Sequence, residues 1–147
     1  MINCAGILFK DGFETAKQNQ LRRVLDTNLM GPFNMAKKMM PLLKKSSDAK
    51  VINVSSQLGT LKNSGPAYAA YRISKTALNS MTRVMSQDLI DKNIKVFSVC
   101  PGWVHTDMGG PNAPRTPEQG ASSILFPFYS KRAKTGNFYQ DGKMLNW

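Results

Sequence analysis

Two apolar, β-rich runs, Val51-Ile52-Asn53-Val54-Ser55-Ser56 and Ile94-Lys95-Val96-Phe97-Ser98-Val99-Cys100, flank a stretch from Pro66 to about Asp91 that has no further proline or glycine. That stretch carries Leu78, Met81, Val84, Met85 and Leu89 at helical spacing, a stripe expected to be core or subunit contact rather than a cofactor box. The first run is continuously apolar rather than alternating, as in a strand buried on both faces, and strands of that kind belong to parallel sheets. Parallel neighbours need a long crossover between them, and a helix of this length supplies one. This unit alone confines the chain to the α/β class.

The remaining segments extend the pattern. Met1-Ile2-Asn3-Cys4, ended by Ala5-Gly6, reads as a short strand. From about Gln20 to Lys45, Leu21, Val24, Leu25, Leu29, Phe33, Met35, Met39 and Leu42 recur mostly at three and four, and Gly31-Pro32 allows a bend. Lys50 to Ser55 forms the second strand, and Pro101-Gly102 stops the third. Thr116 followed by Pro117 is an N-cap with proline at the first helical position, opening a helix to about Phe128. A last short strand near Asn137 to Gln140 precedes a turn at Asp141-Gly142. The order is that of an open parallel α/β sheet with flanking helices, expected as a single domain over residues 1–147.

Composition narrows the function classes. A content of 41% hydrophobic and 20% charged residues is ordinary for a soluble domain, and no apolar run approaches the roughly 20 residues that span a bilayer. No secretory signal is visible, so the expected compartment is cytoplasmic, without a membrane partner. The net charge of +11 raises the question of nucleic acid. Lys37, Lys38, Lys44, Lys45 and Lys50, however, interleave with Met39, Met40, Leu42 and Leu43, as on the solvated face of a packed helix, so no nucleic-acid partner is expected. His105 lacks the companion residues of a metal site, and no metal is expected. Cys4 and Cys100 each close a strand-like run, and with one strand between them they stand roughly 9–10 Å apart, beyond bridging distance.

Chemistry concentrates in Ser56, Tyr71 and Lys75. Tyr71 and Lys75 are four apart on one helical face, just after the serine-ended strand. A free phenol titrates at about 10, so an acid–base tyrosine at neutral pH calls for a nearby cation, which Lys75 is placed to supply. Chance alone supplies roughly 0.4 Tyr-x-x-x-Lys pairs at this composition, so the pair gains meaning only from its surroundings.

Those surroundings resemble the short-chain dehydrogenases/reductases, and among them the small carbonyl-reductase-like members, over nearly the whole chain. Asn3-Cys4-Ala5-Gly6 is similar to the family's Asn-Asn-Ala-Gly segment, and Asn28 within Thr27-Asn28-Leu29-Met30-Gly31 to its helix asparagine. Asn53-Val54-Ser55-Ser56 matches the serine strand, Tyr71-Arg72-Ile73-Ser74-Lys75 the Tyr-x-x-x-Lys motif, and Pro101-Gly102-Trp103-Val104-His105-Thr106 the Pro-Gly turn. The resemblance implies a Rossmann-like fold and NAD(P)-dependent interconversion of a small-molecule carbonyl and alcohol, with NADP expected and NAD possible. It implies that Tyr71 donates the proton, that Lys75 lowers its pKa and holds the nicotinamide ribose, that Ser56 polarises the substrate oxygen, and that Asn28 anchors a water. Cys4, Ala5, Gly6, Pro101, Gly102, Val104 and Thr106 would line the cofactor with Tyr71 and Lys75, with a turn or cap role as the lesser reading of Gly6, Gly102 and Thr106. Trp103 and Met108 could line an apolar pocket or simply pack. The family's two long helices imply a homo-oligomer of the full-length parent.

Two departures stand out. Cys4 replaces the second asparagine of its segment. The family's glycine-rich Thr-Gly-x-x-x-Gly-x-Gly loop does not occur within residues 1–147. The expectation is therefore a truncated C-terminal portion, with the first three strands of the family fold absent and activity impaired. The competing reading is a non-catalytic interaction module or inactive fragment.

Overall fold

A computed structural model describes residues 1–147, with the side chain of Asn63 excepted. The chain runs through β1 (Ile2–Asn3), α1 (Gln18–Leu25), a π-helical turn (Asp26–Met30), α2 (Gly31–Leu43), β2 (Ala49–Val54), α3 (Ala69–Asp88), β3 (Ile94–Val99), α4 (Pro117–Tyr129), β4 (Phe138–Gln140) and β5 (Lys143–Leu145). The strands form one sheet in the order β1-β2-β3-β4-β5. β1 to β4 are parallel, and β5 is antiparallel to β4.

β2 and β3 are the spine, paired from Ala49↔Ile94 to Val54↔Val99. Alternate residues serve opposite faces. Val51 and Val96 pack with Leu43, Leu89 and Met85 under α2 and α3, while Ile52, Phe97 and Val99 pack with Tyr139, Ile124 and Phe126 under α4. α4 begins as expected: Thr116 Oγ1 accepts from Gln119 N and Gln119 Oε1 accepts from Thr116 N, a reciprocal capping box. Among the described residues no helix is long and apolar enough to cross a membrane.

Three details differ from the sequence reading. The bend in the first long helix is not at Gly31-Pro32. It is a widened turn just before, with Asn28 at its centre and fully buried. α3 starts at Ala69, after Tyr68 with φ of 62°, because Ala69 N donates to Asp11 O of the β1–α1 connection and closes the turn there. The chain also turns back at Asp141-Gly142, both residues at positive φ (51° and 75°), to add β5 as a tight hairpin.

The buried face of β2 and β3 is not wholly apolar. Asn3 Nδ2 donates to Asn53 Oδ1 at 2.8 Å, Asn53 Nδ2 to Thr82 Oγ1 at 2.9 Å, and Ser98 Oγ to the same Thr82 oxygen at 2.9 Å. This seam crosses three strands and fastens α3 to them. Asn53, Thr82 and Ser98 have no exposed surface, so breaking the hub leaves donors in the core without water to replace their partner. Asn53→Leu is expected to lower unfolding free energy by about 3 kcal/mol, measured by urea denaturation. A loss under about 1 kcal/mol would mean that the seam adds nothing to stability.

Candidate active site

The carboxyl ends of β1, β2 and β3 deliver three short segments to one edge of the sheet: Cys4–Gly6, Ser55–Ser56 and Cys100–Gly102. α3 passes beside them with Tyr71, Ser74 and Lys75 all buried. The 75 side chain crosses to β2, where Lys75 Nζ donates to Val54 O at 2.8 Å, and it stands 5.5 Å from the centre of the Tyr71 ring. Gly6 closes the cluster from β1. A Cβ built there would lie 3.6 Å from both Lys75 Nζ and Asn28 Oδ1.

Asn28 explains the widened turn. Its Oδ1 accepts from Ile7 N at 2.8 Å, and its Nδ2 donates to Ile7 O and to Ser74 Oγ, both at 3.0 Å. Ser74 Oγ in turn donates to Tyr71 O at 2.7 Å. One buried amide therefore ties the loop after β1 to the turn of α3 that carries the tyrosine. Widened turns concentrate at functional sites because they reorient a side chain within a continuous helix. Ser74, fully buried, is a site residue that the sequence reading did not single out, although its place three after Tyr71 put it on the same face. Ser56 ends the β2 segment in an extended conformation, and its hydroxyl accepts from Leu58 N at 3.1 Å.

The electrostatics run against one expectation. Burial pushes the Tyr71 phenol up to about 12, with the neighbouring Ser56 hydroxyl opposing by less. The net shift is upward even with the Lys75 ammonium nearby, because desolvation dominates where little water remains. The same burial brings the Lys75 ammonium down to about 8, opposed by the sulfurs of Cys4 and Cys100. Tyr71 therefore keeps its proton across the physiological range, and Lys75 remains mostly charged at pH 7.

In the Pro101–Thr106 segment the backbone and the side chains part ways. Gly102 has φ of 80°, a conformation that favours glycine, and its N–H donates to Cys100 Sγ at 3.3 Å. The Val104 side chain packs on Gly120 of α4. The Thr106 hydroxyl is taken up locally, donating to Val104 O and accepting from Gly109 N. Trp103, half-exposed, donates Nε1–H to Gly109 O at 2.8 Å, while His105 is exposed in the loop. Both cysteines are free, with Cys4 exposed and Cys100 buried, and β2 separates their strands. A surface cavity of about 590 Å³ lies between α4 and Asp141-Gly142 and is lined by none of Ser56, Tyr71 or Lys75.

A nicotinamide ribose fits the donor set. An ammonium has three N–H donors, and among the described residues Lys75 has one hydrogen-bond acceptor, Val54 O, so two remain for hydroxyls presented over Gly6. Cys4 and Ala5 are exposed beside it.

The family model described as short chain dehydrogenase matches residues 1–116. The chain is 28% identical to mouse carbonyl reductase [NADPH] 1, covering all of this chain and 69% of that protein. It is 41% identical to the C-signal protein of Myxococcus xanthus over 63% of this chain and 57% of the relative. Among solved structures, the carbonyl reductase Sniffer of D. melanogaster superposes with a TM-score of 0.90 at 34% identity, over 99% of this chain and 65% of the other. An NADPH-bound carbonyl reductase from chicken fatty liver gives 0.89 at 29%, over 99% and 64%. The chain thus spans about two-thirds of the length of these solved structures.

Proposed function

The chain belongs to the short chain dehydrogenase family, and on that footing we propose that it is an oxidoreductase whose Tyr71, Lys75, Ser56 and Asn28 move the proton of a reversible carbonyl–alcohol interconversion. The observation that carries this reading is a buried, protonated Tyr71 beside a buried ammonium, at the carboxyl ends of parallel strands, where ligands of such sheets bind. NADP is the proposed cofactor, with NAD as the alternative, and when bound it supplies the hydride that no side chain can deliver.

The protein's own part is acid–base and positional. Tyr71 holds the proton that a developing alkoxide, a stronger base than a phenolate, will take. Ser56 adds a second hydroxyl at that oxygen, and preorganised donors aimed at developing charge lower the barrier. Lys75 donates to the ribose hydroxyls, Gly6 and Ala5 with the Pro101–Gly102 backbone bound the nicotinamide end, and Asn28 holds the β1 loop and α3 in register. The exposed Trp103 and Met108 suit an apolar small-molecule carbonyl. Exposed apolar residues on two long helices, Phe33, Met35 and Leu42 of α2 with Ile73 and Val84 of α3, suit contact with a second copy.

The test is titration with NADPH and with reduced nicotinamide mononucleotide, followed by NADPH oxidation against small aldehydes and ketones. Saturable binding is expected, with carbonyl-dependent oxidation detectable but weak, since no glycine-rich phosphate loop occurs among residues 1–147. No binding of either nucleotide at millimolar concentration would overturn the reading. Sedimentation at tens of micromolar should show a dimer or larger, and a monomer there would remove the oligomer.

A further inference from the structure

Arg115 was not marked by any sequence motif, yet four independent contacts converge on it. Its Nη1 and Nη2 donate to Asp141 Oδ2 at 2.7 Å and Oδ1 at 2.6 Å, a two-pronged pair, and Nη2 also donates to Gln119 O at 3.3 Å. Its backbone pairs with the Pro-Gly segment: Arg115 N donates to Trp103 O at 3.3 Å and His105 N to Arg115 O at 2.8 Å. Its stem lies on Gly102, where a Cβ would stand 2.5 Å from Arg115 Cδ and 2.8 Å from Nη1. Asp141 is itself anchored, its N–H donating to Ser123 Oγ at 2.9 Å, and Ser123 Oγ donates to Cys100 O at 2.9 Å.

These bonds close a ring from the end of β3, through α4 and the β4–β5 turn, back to residues 102–105. We infer that Arg115, Asp141 and Ser123 form a clasp that sets the height of the Pro101–Thr106 backbone above the sheet, making Arg115 a positioning residue for the nicotinamide end of the cofactor. The inference rests on the proposed function for its ligand and on the ring of contacts for its geometry.

Two physical points favour a positional role over a merely stabilising one. The Arg115 and Asp141 side chains are 22% and 46% exposed, and pairs this open contribute little to global stability. The two-pronged geometry, by contrast, fixes orientation strongly. The clasp also explains why the glycine is at 102. Any side chain there would displace the guanidinium, so the positive φ and the seat for Arg115 are met by the same residue.

The test uses the full chain with Arg115→Ala, Arg115→Lys and Asp141→Asn. Without nucleotide, amide hydrogen exchange at Gly102, Trp103, Val104 and His105 should speed up in Arg115→Ala and Asp141→Asn, while the β2 and β3 amides keep their protection. Titration with NADPH should show Kd raised about tenfold in Arg115→Ala, with Arg115→Lys intermediate because it keeps the charge and most of the stem but not the two-pronged fork. In steady state KM for NADPH should rise by more than kcat falls. Unchanged exchange at residues 102–105 in all three variants overturns the clasp, as does faster exchange with unchanged Kd in a wild type that binds. Absence of NADPH binding by the wild type sinks the proposed function instead, and exchange then still decides whether the clasp exists. Should Arg115→Ala fail to fold, Arg115→Lys and Asp141→Asn carry the comparison.

Discussion

Tyr71→Phe is expected to lower carbonyl-dependent NADPH oxidation by about a thousandfold while leaving nucleotide affinity and thermal stability close to those of the wild type. The substitution removes one hydroxyl from a ring that is 8% exposed, so the packing of α3 on the strand ends is retained. What disappears is a phenol proton that burial secures at neutral pH, holding the group up to about 12. Ser56 remains as a donor, but a serine hydroxyl is a far weaker acid and can stabilise charge without delivering the proton. A loss smaller than tenfold in single-turnover measurements would assign the proton to another group.

Lys75→Met should make the protein more stable and less active. With its pKa brought down to about 8 from 10.5, the folded chain carries a buried ammonium at a penalty of about 3 kcal/mol at neutral pH. Methionine fills similar space without charge. The bond to Val54 O is lost as well, an offset of about 1 kcal/mol, so a net gain of about 2 kcal/mol at pH 7 is expected. The sign with pH follows from which state binds more protons. Between pH 8 and 10.5 the unfolded chain keeps the Lys75 proton and the folded chain does not, so wild-type stability rises through that window. The advantage of Lys75→Met over the wild type should therefore shrink from pH 8 to 10.5. Tyr71 acts oppositely at higher pH: the unfolded phenol ionises at about 10 while the folded one holds to about 12, and stability falls between them in both proteins. Urea denaturation of both proteins at pH 7, 9 and 10 measures the difference. A variant less stable at pH 7, or a constant gap, would mean that Lys75 is not held as a desolvated ammonium.

Much of the architecture is legible because it is local. Val51 to Val54 and Val96 to Val99 announce buried strands, and Thr116 followed by Pro117 announces a helix start. The widened turn at Asp26–Met30 was beyond such reading. It exists to bring Asn28 to the backbone of Ile7, a contact 21 residues away, and Gly31-Pro32 pointed instead to an ordinary bend next door. β5 was missed for a related reason: Lys143 and Met144 are exposed on a three-residue edge strand, with no buried face to impose alternation. The hydrogen-bonded seam through Asn53 and Ser98 likewise has no local signal, because their shared partner Thr82 stands on another element.

The candidate site divides along the same line. Ser56, Tyr71, Lys75 and Asn28 could be named from spacing and from the resemblance of five ordered segments, since a helical turn fixes which side chains share a face whatever surrounds them. The sequence thus determined the fold class, the order of the elements and the residue types at the reacting centre. Tertiary structure alone decided their electrical state. The expected lowering of Tyr71 by Lys75 gave way to a phenol raised to about 12 and an ammonium brought down to about 8, because a pKa depends on how much water remains around the group. It also supplied Arg115 and Asp141, 26 residues apart, whose pairing no local pattern encodes. Periodicity and caps are properties of neighbours in the chain, whereas burial and long-range pairing come into being only when the chain closes on itself.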